Sequence, residues 1–162
     1  MARTPSTMVP LGTMLPDFSL PDGHGMQHDM HAVQGDVGTL VIFMCNHCPF
    51  VVHIAAELAA LGRDYTPQGI GIVGINSNDV ESYPDDAPEH MVVFAETHGI
   101  HWPYLYDASQ DVALAFEAAC TPDFFLFRPL RDRHLLAYRG QLDGSRPGNE
   151  IPVTGKDLRQ AL

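Results

Sequence analysis

Two of the chain's three cysteines, Cys45 and Cys48, stand at positions i and i+3 in the stretch MCNHCPF. Cysteines with this spacing at the start of a helix lie on one face and can close a small disulfide ring. The unpaired amides and the dipole at a helix N-terminus lower the pKa of a thiol from about 8.5 to ~3.5–7.5. The spacing therefore predicts a dithiol/disulfide couple, with Cys45 as the nucleophile and Cys48, one turn deeper, as the thiol that resolves the mixed disulfide.

Two polar residues lie between these cysteines. His47, when protonated, places a positive charge beside a thiolate and stabilises the reduced form of the pair. Asn46 offers hydrogen bonds without a charge. We expect both residues to support a redox centre.

Two other interpretations of the cysteine pair remain open. A metal site would need more ligands, and although His53 follows Cys48 by five residues, the sequence has no second CxxC pair and no closely spaced histidine pair of the zinc-finger kind. Two unreactive thiols could also fill a hydrophobic core. The redox interpretation is favoured, because cysteine is scarce in this chain and the pair stands where a strand pattern changes to a helix pattern.

A buried strand and an amphipathic helix flank the pair. The run TLVIFM (39–44) is rich in β-branched and aromatic residues, which is typical of a strand buried on both faces. From Val51 the apolar residues recur at steps of three and four, which predicts a helix that stops before TPQG. The run IGIVGI (70–75) predicts a second buried strand, so the three elements indicate a right-handed parallel βαβ unit.

The remaining predicted elements surround this unit. They are an irregular arm over residues 1–37 with a hairpin around PDGHG, a helix that starts at Asp86 and Pro88 and ends at His98 before Gly99, a helix that begins near Asp107 with the capping box DASQ, a strand DFFLF (123–127), an antiparallel strand HLLAYRG (134–140) and a helix from about Thr154. This order predicts an α/β fold. A chain of 162 residues suffices for one domain, 1–162, with a single core.

Charge and hydropathy argue against several classes of function. The chain carries 9 Lys and Arg against 20 Asp and Glu, a formal charge of −11, which opposes binding to nucleic acid or to anionic membranes. No apolar run approaches the roughly 20 residues that cross a bilayer. The N-terminal stretch has no apolar segment of the secretory kind, so we expect a cytoplasmic protein in a reducing compartment.

The motifs taken together resemble the thioredoxin-like proteins, in particular the branch of alkyl hydroperoxide reductase and thiol-specific antioxidant proteins. The segments FMCNHCPFV, VGINSND, YPDDAPE, WPYLYD and RGQLDGSRPGN are similar to uncharacterised thioredoxin-family proteins with a Cys-Asn-His-Cys-Pro site, from about Leu15 to the C-terminus. The resemblance implies a thioredoxin-like three-layer sandwich with a mixed central sheet and an N-terminal β extension. It also implies thiol-disulfide exchange with protein or small-molecule partners, through a redox-active Cys45–Cys48 disulfide and without a metal or other cofactor.

The resemblance also assigns roles to particular residues. Cys45 and Cys48 match the active-site pair of the family, and Pro122 matches its cis-proline. The backbone of Thr121, which precedes this proline, would then bind an extended substrate beside the pair.

Some positions depart from the family pattern. Met44 stands where a tryptophan usually precedes the first cysteine, and Pro49 follows the second cysteine instead of lying between the two. The buried acid of thioredoxin has no counterpart in the first buried strand, so the proton acceptor for Cys48 stays open. Glu57 or Asp123 could fill that role, but the preferred interpretation is that both are solvated surface carboxylates.

Peroxide reduction is the sharpest rival function. Peroxiredoxins of this branch typically carry the motif Pro-x-x-x-Thr-x-x-Cys, which places a hydroxyl three residues before the reactive cysteine. Ile42 stands three residues before Cys45, and Cys45 itself stands three before Cys48, so the signature fails in both registers. Thiol-disulfide exchange is therefore preferred, and peroxide reduction and a copper-chaperone role remain the alternatives.

Three further polar residues are weaker candidates for the site. Cys120 stands two residues before Pro122, which predicts a place near the pair; it could be a regulatory thiol, but a buried small apolar filler is the preferred interpretation. Asn76 and Asn78 follow a parallel strand at its carboxyl end, where open α/β sheets bind ligands. The same asparagines also suit a turn.

Overall fold

The central element of the fold is a five-stranded sheet. A computed structural model describes residues 4–162, so the first three residues of the predicted arm lie outside the described residues. In this part of the chain the strands are β1 (Ser19–Pro21), β2 (Gln27–Asp29), β3 (Gly38–Phe43), β4 (Ile70–Asn76), β5 (Tyr104–Tyr106), β6 (Asp123–Leu130) and β7 (Arg133–Gly140). The helices are α1 (Met30–Val33), α2 (Pro49–Tyr65), α3 (Pro88–His98), α4 (Asp111–Phe116) and α5 (Lys156–Ala161), with 3-10 turns at Thr66–Gln68 and Pro84–Asp86.

The large sheet has the strand order β5-β4-β3-β6-β7. β3, β4 and β5 are parallel to one another, whereas β6 is antiparallel to both β3 and β7. This order confirms the predicted mixed sheet and the parallel β3–α2–β4 unit. Every residue of β3 is buried, which explains the apolar run over residues 40–43, because a strand covered on both faces has no solvent-exposed side.

Two apolar cores lie on opposite faces of the sheet. One core joins α2 to alternate side chains of β3, and its fully buried members include Leu40, Ile42, Val51 and Leu58. The other core contains the remaining β3 side chains and a group of phenylalanines: Val41, Phe43, Phe116 and Phe125. Burial of each large side chain contributes about 1.5–3 kcal/mol. This packing fixes α2 against β3 and therefore fixes the loop that joins them.

The N-terminal arm contains the predicted hairpin. β1 and β2 pair antiparallel on either side of a turn at Asp22. Oδ1 of Asp22 accepts hydrogen bonds from the backbone N–H groups of His24 at 2.9 Å and Met26 at 3.0 Å. Gly25 has φ +82° in this turn, a left-handed angle that glycine adopts without strain.

The structure departs from the sequence pattern before β6. The stretch WPYLYD contains β5, which pairs parallel to β4. The sequence pattern does not predict this strand, because three residues are too few to show a periodicity. The helix predicted from Asp107 begins only at Asp111. The carboxylate of Asp107 accepts the backbone N–H of Ala113 at 2.9 Å and the hydroxyl of Ser77 at 2.7 Å, so it links the start of α4 to the end of β4.

The other predicted elements are confirmed with small shifts. α3 ends at His98, and Gly99 closes it with φ +70°. β6 and β7 form the predicted antiparallel hairpin, and α5 begins at Lys156 instead of Thr154. Among the described residues, no helix combines the length and the apolar character that crossing a membrane requires.

Candidate active site

The cysteine pair lies in the loop between β3 and α2. α2 begins at Pro49, and Cys48 is its N-cap residue, with extended backbone angles of φ −67° and ψ 119°. The expectation that Cys45 begins the helix and that Cys48 lies one turn deeper is therefore wrong. Pro49 causes the shift, because proline favours the first helical position and disfavours helical angles in the residue before it.

The two thiols have different surroundings. Cys45 is 1% exposed and Cys48 is 7% exposed, and both are free thiols. A hydrogen bond with Cys45 lowers the pKa of Cys48 to about 5, and the backbone amides of Val51 and Phe50 act in the same direction. The Cys48 side chain forms no capping hydrogen bond with these amides. Their effect is therefore that of the positive end of the helix dipole.

The same environment disfavours a charge on Cys45. Its hydrogen bond with Cys48 and its burial raise the pKa of Cys45 above the ordinary value, and the nearby charge of Asp86 adds to this effect. The predicted order of acidities is therefore reversed. These surroundings favour the thiolate on Cys48 and the proton on Cys45.

Thr121 and Pro122 bring a second part of the chain to the pair. Their peptide bond is cis, as the resemblance implies. The hydroxyl oxygen of Thr121 lies 3.6 Å from Sγ of Cys45, and its carbonyl oxygen lies 3.5 Å from Sγ of Cys48. Thr121 thus contacts both sulfur atoms.

A buried acid holds the loop between the two cysteines. Asp86 lies in the segment after β4 and has no exposed surface. Its Oδ1 accepts the backbone N–H of Asn46 at 2.7 Å and of His47 at 3.1 Å, and its Oδ2 accepts Nδ1–H of His47. The sequence pattern assigns Asp86 to the start of α3, but Ala87 is the N-cap of that helix, so sequence reasoning missed this site residue.

The two candidate asparagines hold Asp86 in place. Nδ2 of Asn76 donates to the backbone carbonyl oxygen of Asp86 at 2.7 Å, and Nδ2 of Asn78 donates to its Oδ2 at 2.8 Å. The backbone N–H of Asn78 also donates to Oδ1 of Asn76 at 3.1 Å, as in a turn. The asparagines therefore position the buried acid, which in turn positions the cysteine loop.

Two tyrosines support the residues between the cysteines. The ring of Tyr83 stacks on the imidazole of His47 with a centroid distance of 4.8 Å and an interplanar angle of 6°. The hydroxyl of Tyr104 donates to Oδ1 of Asn46 at 2.9 Å. Burial raises the pKa of Tyr104 well above its ordinary value, so this hydroxyl keeps its proton and remains a donor.

The two carboxylates proposed as proton acceptors are engaged elsewhere. Asp123 is 2% exposed, which corrects the surface interpretation, and its Oδ2 accepts a hydrogen bond from Nη2 of Arg139 at 2.9 Å. Glu57 is partly buried and forms an ion pair with Arg159. Both carboxylates are therefore bound by a guanidinium group.

An open groove of about 930 Å³ crosses the pair. Its lining includes Cys45, Cys48, Phe50, Leu114, Cys120 and Pro122. Cys120 is half-buried, and burial together with the charge of Asp123 raises the pKa of this thiol to about 11. Cys120 is thus a protonated thiol in the groove at neutral pH.

One cluster brings possible metal ligands together. Sγ of Cys45, a ring nitrogen of His47 and a carboxylate oxygen of Asp86 lie within 4.8 Å of one another. Both oxygens of Asp86 already accept hydrogen bonds from the cysteine loop and from Asn78. A metal ion would have to displace these bonds, so the donor set fits a hydrogen-bonded unit better than a metal site.

The sheet order, the cysteine pair at the start of α2 and the adjoining cis-proline define a thioredoxin-like protein. The model of the AhpC/TSA family matches residues 11–141, and the chain belongs to this family. Its fold and family place it among redox enzymes of the thiol-disulfide oxidoreductase or peroxiredoxin-like kind.

Solved structures include two that are similar to nearly the whole chain. An uncharacterized conserved protein from Geobacillus kaustophilus is 51% identical, with a TM-score of 0.90 over 95% of this chain and 80% of that one. The hypothetical protein SMc02350 from Sinorhizobium meliloti 1021 is 46% identical, with a TM-score of 0.92 over 97% and 84%. A secreted Mycobacterium tuberculosis disulfide oxidoreductase is 16% identical, with a TM-score of 0.64 over 89% and 92%, and shares the fold.

Proposed function

We propose that the protein is a thiol-disulfide oxidoreductase that works through the Cys45–Cys48 couple. The observation that carries this proposal is the contact of both sulfur atoms with Thr121, the residue before the cis-proline, in an open groove. The surroundings lower the pKa of Cys48 to about 5, so one of the two neighbouring thiols is stabilised as a thiolate. A thiolate with a second thiol in contact is the arrangement that dithiol exchange requires.

The reaction starts with the thiolate of Cys48, which attacks one sulfur of a substrate disulfide. The substrate S–S bond breaks, one substrate thiolate leaves and takes up a proton, and Cys48 becomes part of a mixed disulfide. Cys45 then loses its proton and attacks the sulfur of Cys48, which releases the second substrate thiol. The pair has given up two electrons and become a disulfide, and a dithiol reductant restores it.

We infer that the substrates are disulfides of proteins or small molecules. The groove is open, and its lining includes two apolar side chains, Phe50 on α2 and Leu114 on α4. Leu114 is 73% exposed and offers contact area to a bound chain. These features suit an extended polypeptide with an apolar residue next to its cysteine.

Peroxide reduction is the second candidate. The hydroxyl of Thr121 lies beside Cys45, and a peroxiredoxin also places a threonine hydroxyl beside its reactive cysteine. The raised pKa of Cys45 opposes this function, because the thiolate is the form that attacks a peroxide.

Insulin reduction by dithiothreitol tests the proposal. The wild type should accelerate the precipitation of reduced insulin, and the double variant Cys45→Ser/Cys48→Ser should show only the uncatalysed rate. This variant is a matched control because it removes the pair and keeps Cys120. Rapid consumption of hydrogen peroxide without insulin reduction would instead support the peroxidase.

A further inference from the structure

The second half of the exchange reaction needs a base. When Cys48 is part of the mixed disulfide, the thiol of Cys45 must lose its proton before it can attack the sulfur of Cys48. β3 contains no acidic residue that could take this proton, because it is entirely apolar apart from Gly38 and Thr39. The structure must therefore provide the proton acceptor from another element.

We propose that His47 and Asp86 form a proton relay for Cys45, in which His47 carries the proton and Asp86 is the residue that positions the imidazole. This inference rests on the proposed thiol-disulfide exchange and adds to it the group that moves a proton in the resolving step. Asp86 lies in the segment after β4, forty residues after Asn46 in the sequence.

The geometry of three side chains supports the relay. Sγ of Cys45, a ring nitrogen of His47 and a carboxylate oxygen of Asp86 lie within 4.8 Å of one another, a separation that a single water molecule can bridge. Because Nδ1–H of His47 donates to Asp86, Nε2 is the proton-accepting nitrogen of the neutral ring, and the proposed relay requires a water molecule between Nε2 and Sγ of Cys45. The stacked ring of Tyr83 holds the imidazole in this orientation.

His47 differs from the buried acid beside it in its access to solvent. The titratable groups that face it are Asp86, Tyr83 and Cys45. The side chain of His47 is 32% exposed, so it can exchange a proton with the groove, whereas the side chain of Asp86 is fully buried. Such a pair of a buried carboxylate and an exposed imidazole is suited to fix the tautomer and to pass a proton on.

The proton balance of the step is complete. Cys45 transfers its proton to His47 and forms a bond to the sulfur of Cys48, while the bond between Cys48 and the substrate sulfur breaks. The departing substrate thiolate takes the proton from His47. The imidazole returns to its neutral form, and the two electrons lost by the cysteine pair are on the two substrate thiols.

Rapid acid quenching of the reduced protein with glutathione disulfide tests the relay. Peptide mass spectrometry then follows two species, the adduct on Cys48 and the internal disulfide. The variants are His47→Gln, Asp86→Asn, the double variant, and Glu89→Gln as a control. Glu89 is exposed on the first turn of α3, so its replacement removes the same charge close to Asp86 without touching the loop.

In the expected result only the second step slows. Adduct formation should keep the wild-type rate in His47→Gln, while decay of the adduct to the internal disulfide should slow about 10²-fold, within the range of a positioned acid–base group. Asp86→Asn should slow this decay roughly tenfold or more, and the double variant should be no slower than His47→Gln, because residues that act as a unit are not additive. Glu89→Gln should match the wild type.

Other outcomes would overturn the relay. Unchanged adduct decay in His47→Gln would remove His47 from the step, and this variant should fold because its side chain lies at the surface. Further slowing by Asp86→Asn in the His47→Gln background would show that Asp86 acts only on the loop structure. As a second positive sign, added imidazole should restore adduct decay in His47→Gly. A wild type that forms no Cys48 adduct would contradict the proposed function itself.

Discussion

Two buried aspartates flank the cysteine pair and are held by different partners. Asp86 accepts hydrogen bonds from the backbone amides of Asn46 and His47 and from the imidazole of His47. Asp123 accepts hydrogen bonds from Arg139, whose guanidinium carbon lies 3.6 Å from the ring centroid of Phe125. One acid is therefore attached to the reactive loop, and the other is attached to the neighbouring strand.

This difference shows that the partner of a buried acid indicates its role better than burial does. A guanidinium stays charged at all accessible pH values, so the pair of Asp123 and Arg139 is a static connection between β6 and β7. An imidazole has one nitrogen that donates and one that accepts a proton, so the pair of Asp86 and His47 is suited to take part in the proposed proton transfer at Cys45. The aspartate that follows the cis-proline in sequence is thus structural, and the one from the distant segment faces the reaction.

The largest expected effect is the difference between the serine variants of Cys45, which lies beside Asp86, and Cys48, which lies at the start of α2. Cys48→Ser should abolish attack on disulfides, because it removes the thiolate, and Cys45→Ser should still attack but stop at the mixed disulfide. Mass spectrometry after incubation with insulin should find the trapped adduct only in Cys45→Ser. A trapped adduct only in Cys48→Ser would restore the assignment that the sequence pattern favours.

A second prediction contrasts the stability effects of the two acids. Arg139→Met leaves Asp123 buried without its cation and should lower the free energy of unfolding by about 3–5 kcal/mol. Asp86→Asn keeps a hydrogen-bonding side chain among mostly neutral donors and should lower it by about 1–3 kcal/mol. Urea denaturation measures both values.

Arg133→Met is the control for this comparison, because Arg133 is exposed at the start of β7. It should change the free energy of unfolding by no more than about 0.5 kcal/mol. An Asp86→Asn variant less stable than Arg139→Met would contradict the distinction between a reactive and a structural acid.

A smaller effect is expected from Tyr83→Ala, which removes the ring stacked on His47 and keeps the bond to Asp86. Stacked aromatic pairs contribute about 0.5–1.5 kcal/mol, so the resolving step should slow roughly two- to tenfold. The rate of adduct decay with glutathione disulfide measures the effect. Slowing as large as that of His47→Gln would mean that Tyr83, and not Asp86, is the main support of the imidazole.

The sequence predicts the elements whose residues repeat with a clear period. The buried strands β3 and β4 and the long helix α2 are confirmed because their apolar patterns extend over six residues or more. β5 escapes prediction because its pattern has three residues. The resemblance correctly indicates the cis bond at Pro122, which periodicity alone cannot reveal.

The sequence fails where contacts join distant segments or where one residue shifts a boundary. Asp86 reads as a helix-capping residue in sequence, and only the folded chain brings its carboxylate to Asn46 and His47. Pro49 is visible in the sequence, and its preference for the first helical position could have moved the predicted helix start past Cys48. That one-turn shift decides which cysteine lies at the helix N-terminus.

The pH dependence of cysteine alkylation in the reduced protein tests the central claim most directly. Iodoacetamide labelling followed by peptide mass spectrometry gives a rate for each thiol, with Cys120 as an internal reference whose pKa is raised to about 11. Cys48 should react first, with a rate that reaches half its plateau near a pKa of about 5, and Cys45 should react only in alkaline solution. Faster labelling of Cys45 in acid or neutral solution, with Cys48 protected, would contradict the account and return the nucleophile to Cys45.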